Sequence, residues 1–524
     1  MAKWKKNFKL ENGKMKKSNF RWIICSMLFF ATTVNYLDRQ VLSLTWKDFI
    51  APEFGWTDAN YGTITAFFSI FYACISLVAG KLIDWLGTKK GYLWAIFFWS
   101  LAACLHAACG IGTMWWTGYE SLGAMTDAAK EGLLAHNTAL ELGKAGLPIP
   151  EPLQVAAKAW LAISTASVWL FLACRSMLAL GEAGNFPAAI KVTAEYNPKK
   201  DRALSTAVFN AGASVGALAS PVIIPLLAKY FKSIGVGGGW EMAFIIIGAL
   251  GFVWMGFWMW LYRKPAESPH VNKAELEYIQ SDEEVAPAEG AAKPAEEEKT
   301  IGFFKCFTYR QTWSFIVGKF FTDGVWWFFL FWTPAYFKDQ FGLSSDNPKA
   351  MMLIATLYAI VTFLSIGGGY LPKYFVEKKG MEAYSGRMLA MLIFAFFPIA
   401  ALAAQPCGSI SPWFPAILIG LVGAGHQSWS ANIYSTVSDM FPKSTVATIT
   451  GVGTMAGGLG SFLINKGSGV LFDYGAAQGD AFRFMGFSGK PAGYMIVFCV
   501  CAVAYLAAWA IMKSLVPRYR KVEA

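Results

Sequence analysis

Apolar residues run along this chain in long blocks, and the polar positions between them fall in short clusters. The blocks recur over the whole length at about 18–25 residues each, the length at which a helix crosses about 30 Å of hydrocarbon. The pattern predicts helices near 20–45, 59–82, 91–111, 163–187, 203–230, 241–262, 312–337, 350–371, 387–404, 412–437, 446–470 and 491–513. Twelve crossings bring the chain back to its starting side, so both termini share one face. The expected fold is all-α and integral to the membrane, built as two six-helix bundles.

Two segments interrupt the rhythm. EEVAPAEGAAKPAEEE at 283–298 is rich in Ala, Pro and Glu and has no apolar period, which reads as a flexible linker. HVNKAELEYIQ before it reads as a short amphipathic helix. The connection at 112–162 is long for a loop. Its AMTDAAKEGLLAHNTALELGK favours helix and its PIPEP ends one, which suggests a helical cap on the outer face. The chain thus divides into a tail (1–19), a first bundle (20–263, with the 112–162 insert), a linker (264–310), a second bundle (311–513) and a tail (514–524).

Composition narrows the class. Charged residues make up 15% of the 524 and hydrophobic ones 55%, against about 25% charged in soluble domains. The net charge of +11 would suggest nucleic-acid binding on a soluble chain. Here it sorts by side. Of the 45 Lys and Arg, counting those near a span end with the connection beside it, the termini and even-numbered connections hold 31, the odd-numbered connections 11, and three lie deep inside spans. Both termini are therefore expected in the cytoplasm, with the lipid bilayer and not nucleic acid as partner. The run after the basic N-terminus is too long for a signal-peptide core and is expected to remain as a span. The nine cysteines lie mostly in apolar runs without metal-ligand spacing, which favours packing. No P-loop or HExxH occurs, and no GxSxG stands at a nucleophile elbow, since GASVG (212–216) lies inside an apolar run. The expectation is a carrier driven by an ion gradient, not an enzyme or ATP pump, with no cofactor beyond H⁺ as coupling ion.

The candidate chemistry lies in charges that interrupt apolar runs. Asp38 and Arg39 sit in the first span, where a charge at the bilayer centre costs about 2.5–3.5 kcal/mol on insertion scales. Arg175 and Glu182 are two helical turns apart in the fourth, on nearly one face. A guanidinium can hold an anion and a carboxylate can carry a proton; the same groups could also pair simply to staple helices. Lys319 and Asp323 share a face of the seventh span and could neutralise each other. Trp326, Trp327 and Trp332 follow, suited to stacking on sugar C–H faces or to anchoring at the interface. His426, Gln427, Trp429, Asn432, Tyr434 and Ser435 form a polar cluster in the tenth span. Asp84, Lys89 and Lys90 read as a charged latch in a tight turn.

GKLIDWLGTKKG (80–91) resembles the loop signature of the major facilitator superfamily, with Thr88 at one of the usual basic positions. NYLDRQVLS (35–43) and RSMLALGEAGNFPA (175–188) are similar to the first and fourth helices of its anion:cation symporter family. WEMAFIIIGALGFVWMGFW (240–258), GKFFTDGVWWFFLFWTPAYF (318–337), GGYLPKYF (368–375) and GHQSWSANIYSTVSDMFP (425–442) resemble its bacterial hexuronate transporters. The resemblance implies a midplane site between the halves, worked by rocking. It implies that Arg39 and Arg175 bind the substrate carboxylate and that Asp38 and Glu182 couple transport to H⁺. It places Tyr72, Lys319, Tyr434 and Thr454 at substrate-facing positions. Trp326 and Gln427 are added here from their own polar and aromatic setting, and Asp84, Lys89 and Lys90 as a cytoplasmic gate. Lys319 stands where related carriers have a polar, often amide, residue.

The expected function is import of glucuronate or galacturonate with H⁺ across a bacterial inner membrane, by a monomer. Glu182 would take the proton while facing outward, and Asp38 would stay paired with its neighbour Arg39 until motion loosens it. Another organic acid (aldonate, aldarate, sialic acid or aromatic acid), Na⁺ as coupling ion, a multidrug exporter and a nutrient sensor are the competing readings.

Overall fold

The computed structural model of the chain describes residues 10–11, 14–15, 17–281 and 301–522. The 283–298 run lies outside them. All twelve expected crossings fall on helices, labelled here in chain order. The first bundle holds α1 (Phe20–Thr45), α2 (Asp58–Leu86), α3 (Thr88–His106), α4 (Glu151–Glu182), α5 (Lys199–Ser233) and α6 (Trp240–Leu261). The second holds α7 (Arg310–Phe341), α8 (Pro348–Lys379), α9 (Ala383–Ala395), α10 (Trp413–Met440), α11 (Lys443–Gln478) and α12 (Lys490–Leu515). Among the described residues, nine helices are long and apolar enough to cross a membrane. A tenth forms if α3 is joined to Cys109–Thr117, bent from it by 56°.

Local signals set the helix ends. Thr57 and Asn60 form a reciprocal capping box at the start of α2. Gly87, with φ 78°, reverses the chain between α2 and α3 in a conformation that L side chains avoid. Helix α1 begins differently. Asn19 supplies no side-chain cap. The buried carboxylate of Glu275, on the short helix Lys273–Ile279, instead accepts the N–H groups of Phe20 (3.0 Å) and Arg21 (3.2 Å) and the Ser18 hydroxyl. An anion there satisfies the free N–H groups that open a helix.

The insert between α3 and α4 contains the helix Leu122–Lys144, which packs along the first turns of α4. The Trp160 indole donates to the Gly55 carbonyl at 2.7 Å, and the His136 ring lies 4.4 Å from the Trp160 ring. Lys144, at the end of this helix, reaches the Ala477 carbonyl at the end of α11.

The halves meet along α2 and α11, where small residues let the backbones touch. A Cβ on Gly62 would lie 2.7 Å from the Asn465 carbonyl, one on Gly469 2.5 Å from the Asp58 carbonyl, and one on Gly458 2.2 Å from the Ala73 Cβ. Polar bonds between described residues of the two halves all lie between the centre and the end away from the termini. Nearest the centre, Ser69 bonds Ser461 (2.8 Å) and Gln40 donates to Tyr358 (2.7 Å). Tyr61 donates to the Phe331 carbonyl at 2.8 Å. At the far end Lys47 and Lys490 both pair with Asp58 and Asp339; Lys47 lies 2.7 Å and 3.2 Å from them, and Lys490 lies 2.7 Å from Asp339. The Asp473 carboxylate accepts the N–H groups of Asp58 and Ala59, each at 2.9 Å. The bundle is thus held shut at the end away from its termini.

Candidate functional site

Four ionisable side chains from α1 and α4 are buried together near the centre of the first bundle. Arg39 donates from Nε (3.0 Å) and Nη2 (2.7 Å) to one oxygen of Glu182. Arg175 reaches the Arg39 carbonyl from Nη2 at 3.4 Å. Its Nε and Nη1, and the second oxygen of Glu182, have no hydrogen-bond partner among the described residues. Asp38 is fully buried within electrostatic range of Glu182, Arg175 and Arg39, and neither carboxylate oxygen has a partner there.

This differs from the expected Asp38–Arg39 pair. Adjacent helical residues point about 100° apart, so Arg39 turns to α4 and Asp38 does not share its partner. Glu182, not Asp38, is the carboxylate held by a cation.

Aromatic rings enclose the pair. The Arg39 guanidinium lies 4.9 Å from the Tyr72 ring, 5.4 Å from Tyr36 and 5.7 Å from Trp327. Arg175 lies 4.9 Å from the Phe68 ring. Tyr72 and Phe68 each pack on Trp327, at 5.7 Å and 5.9 Å. Trp327 comes from α7, so the second half contributes a wall to the Arg39 site. Cation–π contacts of this kind are worth about 0.5–2 kcal/mol and leave the cation's hydrogen-bonding edge usable.

The second half adds a compact polar group. Lys319 lies 2.6 Å from Asp323 and 4.6 Å from the Tyr434 ring. Both charged residues are nearly buried, so this pair presents a donor and an acceptor with no net charge. Trp326 faces elsewhere. It stacks flat on His426, with ring centroids 5.1 Å apart and planes 2° apart. His426 Nδ1 lies 2.7 Å from the Tyr505 hydroxyl, which donates to the Thr322 carbonyl. His426 is thus satisfied inside the second bundle. Thr454 donates to its own helix at Thr450, and Gln427 is half-buried.

At the terminal end, Lys89 donates to the Met259 carbonyl at 3.1 Å and Lys90 is exposed. The Asp84 side chain lies outside the described residues. Sequence reasoning missed Tyr36 and Phe68 as walls of the Arg39–Arg175 centre, and it missed the far-end charge network entirely. It noticed Trp327 but selected Trp326 for the site.

Comparisons with known proteins bear on the family and the fold. The chain is 26% identical over 468 residues to a hexuronate transporter of Escherichia coli (strain K12), covering 87% of this chain and 89% of that one. It is 24% identical over 493 residues to a probable galactarate/D-glucarate transporter of the same strain, covering 93% and 96%. In structure it is similar to a bacterial homolog of the human lysosomal transporter Spinster in an inward-facing, occupied conformation. The TM-score is 0.61 with 18% identity, over 96% of this chain and 99% of that one, a likeness of fold. The sequence model of the Major Facilitator Superfamily matches residues 28–123 and 153–464, on either side of the insert helix. With that match over most of its length and two six-helix bundles, the chain belongs to that superfamily of membrane transporters.

Proposed function

We propose that this transporter imports a hexuronate such as glucuronate or galacturonate together with H⁺, with both termini in the cytoplasm of a bacterial inner membrane. The observation that carries the reading is the bond from Arg39 to Glu182 beside the open edge of Arg175. A substrate carboxylate and the Glu182 carboxylate compete for one guanidinium. Protonating Glu182 ends that competition, so proton and anion bind best together, and this reciprocity is the thermodynamic content of symport. Asp38 is a second proton acceptor, within range of both arginines.

The remaining groups fit a sugar acid. Tyr72 and Trp327 offer flat faces to the ring of the sugar. Lys319, Asp323 and Tyr434 offer hydroxyl partners from the opposite half without adding net charge. A neutral second half suits a monoanion, and the hexuronate transporter similar to this chain favours the same choice. With lysines and arginines concentrated at the terminal end, the shut end faces outward and the carrier is oriented toward the cytoplasm.

The test is uptake of radiolabelled glucuronate into proteoliposomes under an inward proton gradient. Accumulation above equilibrium that a protonophore abolishes is the expected result. Accumulation of galactarate or galactonate with none of glucuronate would overturn the hexuronate assignment, and accumulation that needs Na⁺ would overturn the coupling ion.

A further inference from the structure

At the outer end, a carboxylate of one half is held by the other. Asp48, just past α1, accepts the Ser345 N–H at 2.7 Å and lies 3.2 Å from the Lys338 ammonium. Lys338 and Ser345 belong to the second half. Ser345 is buried, and its hydroxyl has no hydrogen-bond partner among the described residues. Asp48 and Lys338 also line a cavity of about 400 Å³ on the seam, together with Phe49, Lys229, Lys232 and Asp346. Lys229 lies 3.4 Å from Asp346, and Lys232 lies over the Phe49 ring at 5.3 Å. Three of the lining residues are thus lysines, contributed by both halves.

A backbone N–H beside an ammonium is a general receptor for carboxylates. Here it is filled by a carboxylate tethered to the other half. When the halves part at this end, Asp48 leaves with the first half and the receptor faces the medium. We propose that Lys338 and Ser345 form a second, outer site for a small carboxylate anion, with Asp48 as its built-in competitor. The proposal rests on the reading of the chain as an outward-loading anion carrier. A cavity of this size lies within the range of about 300–1,000 Å³ typical of small-molecule sites. An anion bound there occupies the place that Asp48 needs for closure. External substrate thereby holds the mouth open long enough to move on to Arg39 and Arg175.

The test breaks one contact from its two sides. The full chain is purified with Arg175→Gln to weaken the central site, and binding of radiolabelled glucuronate is measured by equilibrium dialysis at low salt. Asp48→Asn removes a competitor present at roughly millimolar effective concentration, which is expected to tighten binding about tenfold. Lys338→Gln removes the receptor and is expected to weaken it at least as much. Lys338 is 39% exposed, so its loss leaves the fold intact, as a size-exclusion profile verifies. A simple latch between halves makes the two variants behave alike. Equal shifts, or no binding in the Asp48→Asn protein, would overturn the outer site. The parent protein is titrated alongside. If it binds no more tightly than the Arg175→Gln protein, the central assignment fails, while the contrast between the Asp48 and Lys338 variants still decides the outer site.

Discussion

Glu182→Gln separates binding from coupling. The substitution keeps the shape of the side chain and an oxygen facing Arg39, but removes its charge. Charge-assisted hydrogen bonds are about twice as strong as neutral ones, and a neutral one is worth about 1 kcal/mol net. Arg39 makes two to the same Glu182 oxygen, at 2.7 Å and 3.0 Å. Weakening this competitor by about 1.5 kcal/mol frees the guanidinium and corresponds to about tenfold tighter anion binding. Breaking a buried pair outright costs about 3–5 kcal/mol of stability. The loss here is expected to be smaller, because three aromatic rings still face Arg39. The sign of the pH effect follows. In the parent protein, raising the pH deprotonates Glu182, returns it to Arg39 and weakens anion binding. In the variant the part of that dependence carried by Glu182 disappears, leaving only what Asp38 contributes. Equilibrium binding of labelled glucuronate at pH 6 and pH 8, with uphill uptake and counterflow in proteoliposomes, reads all three quantities. Expected are tight binding with a reduced pH slope, intact counterflow and no uphill uptake. Uphill accumulation by the variant, or an unchanged pH slope of binding, would refute the role of Glu182.

Other outcomes follow from the same geometry. Trp327→Ala removes a wall shared with Arg39 and Tyr72 and should weaken substrate binding by about 0.5–2 kcal/mol, as uptake KM will show. Trp326→Ala should chiefly lower the thermal midpoint, because that ring packs on His426. Asp38→Asn removes a buried carboxylate that has no hydrogen-bond partner among the described residues. It should raise the thermal midpoint in a scanning unfolding assay while slowing proton-driven uptake. Gly469→Val places a side chain where even a Cβ would lie 2.5 Å from the Asp58 carbonyl. It should hold the outer mouth open, measured as faster labelling of an engineered cysteine at Asn465 from outside; unchanged labelling would remove the α2–α11 seam from the gate.

The twelve crossings were legible because each is a long apolar block, and the central charges because they interrupt such blocks. Which charge meets which was not legible. Arg39 and Glu182 are 143 residues apart, and only the packing of α1 on α4 decides that Glu182 is chosen over the adjacent Asp38. Which of Trp326 and Trp327 stands beside Arg39 was not legible either, for a related reason. Helix α7 is apolar almost all round, so its sequence carries no phase, and one residue is a 100° turn. The outer network stayed hidden because Lys47, Asp58, Asp339 and Lys490 stand at helix ends, where charged residues are ordinary. His426 could be satisfied or exposed on sequence grounds; Tyr505, in another helix, decides it.

The Glu275 cap at the start of α1 has a consequence for the connection between the halves. Because Glu275 holds the first turn of α1, the chain is anchored to the first bundle as far as the helix Lys273–Ile279. The covalent tie to the second bundle is then residues 282–300, with a contour length of roughly 60 Å. That is long compared with the displacement that rocking requires. Two separately expressed pieces, divided within that stretch, carry every contact of the seam between them and should assemble into a working carrier.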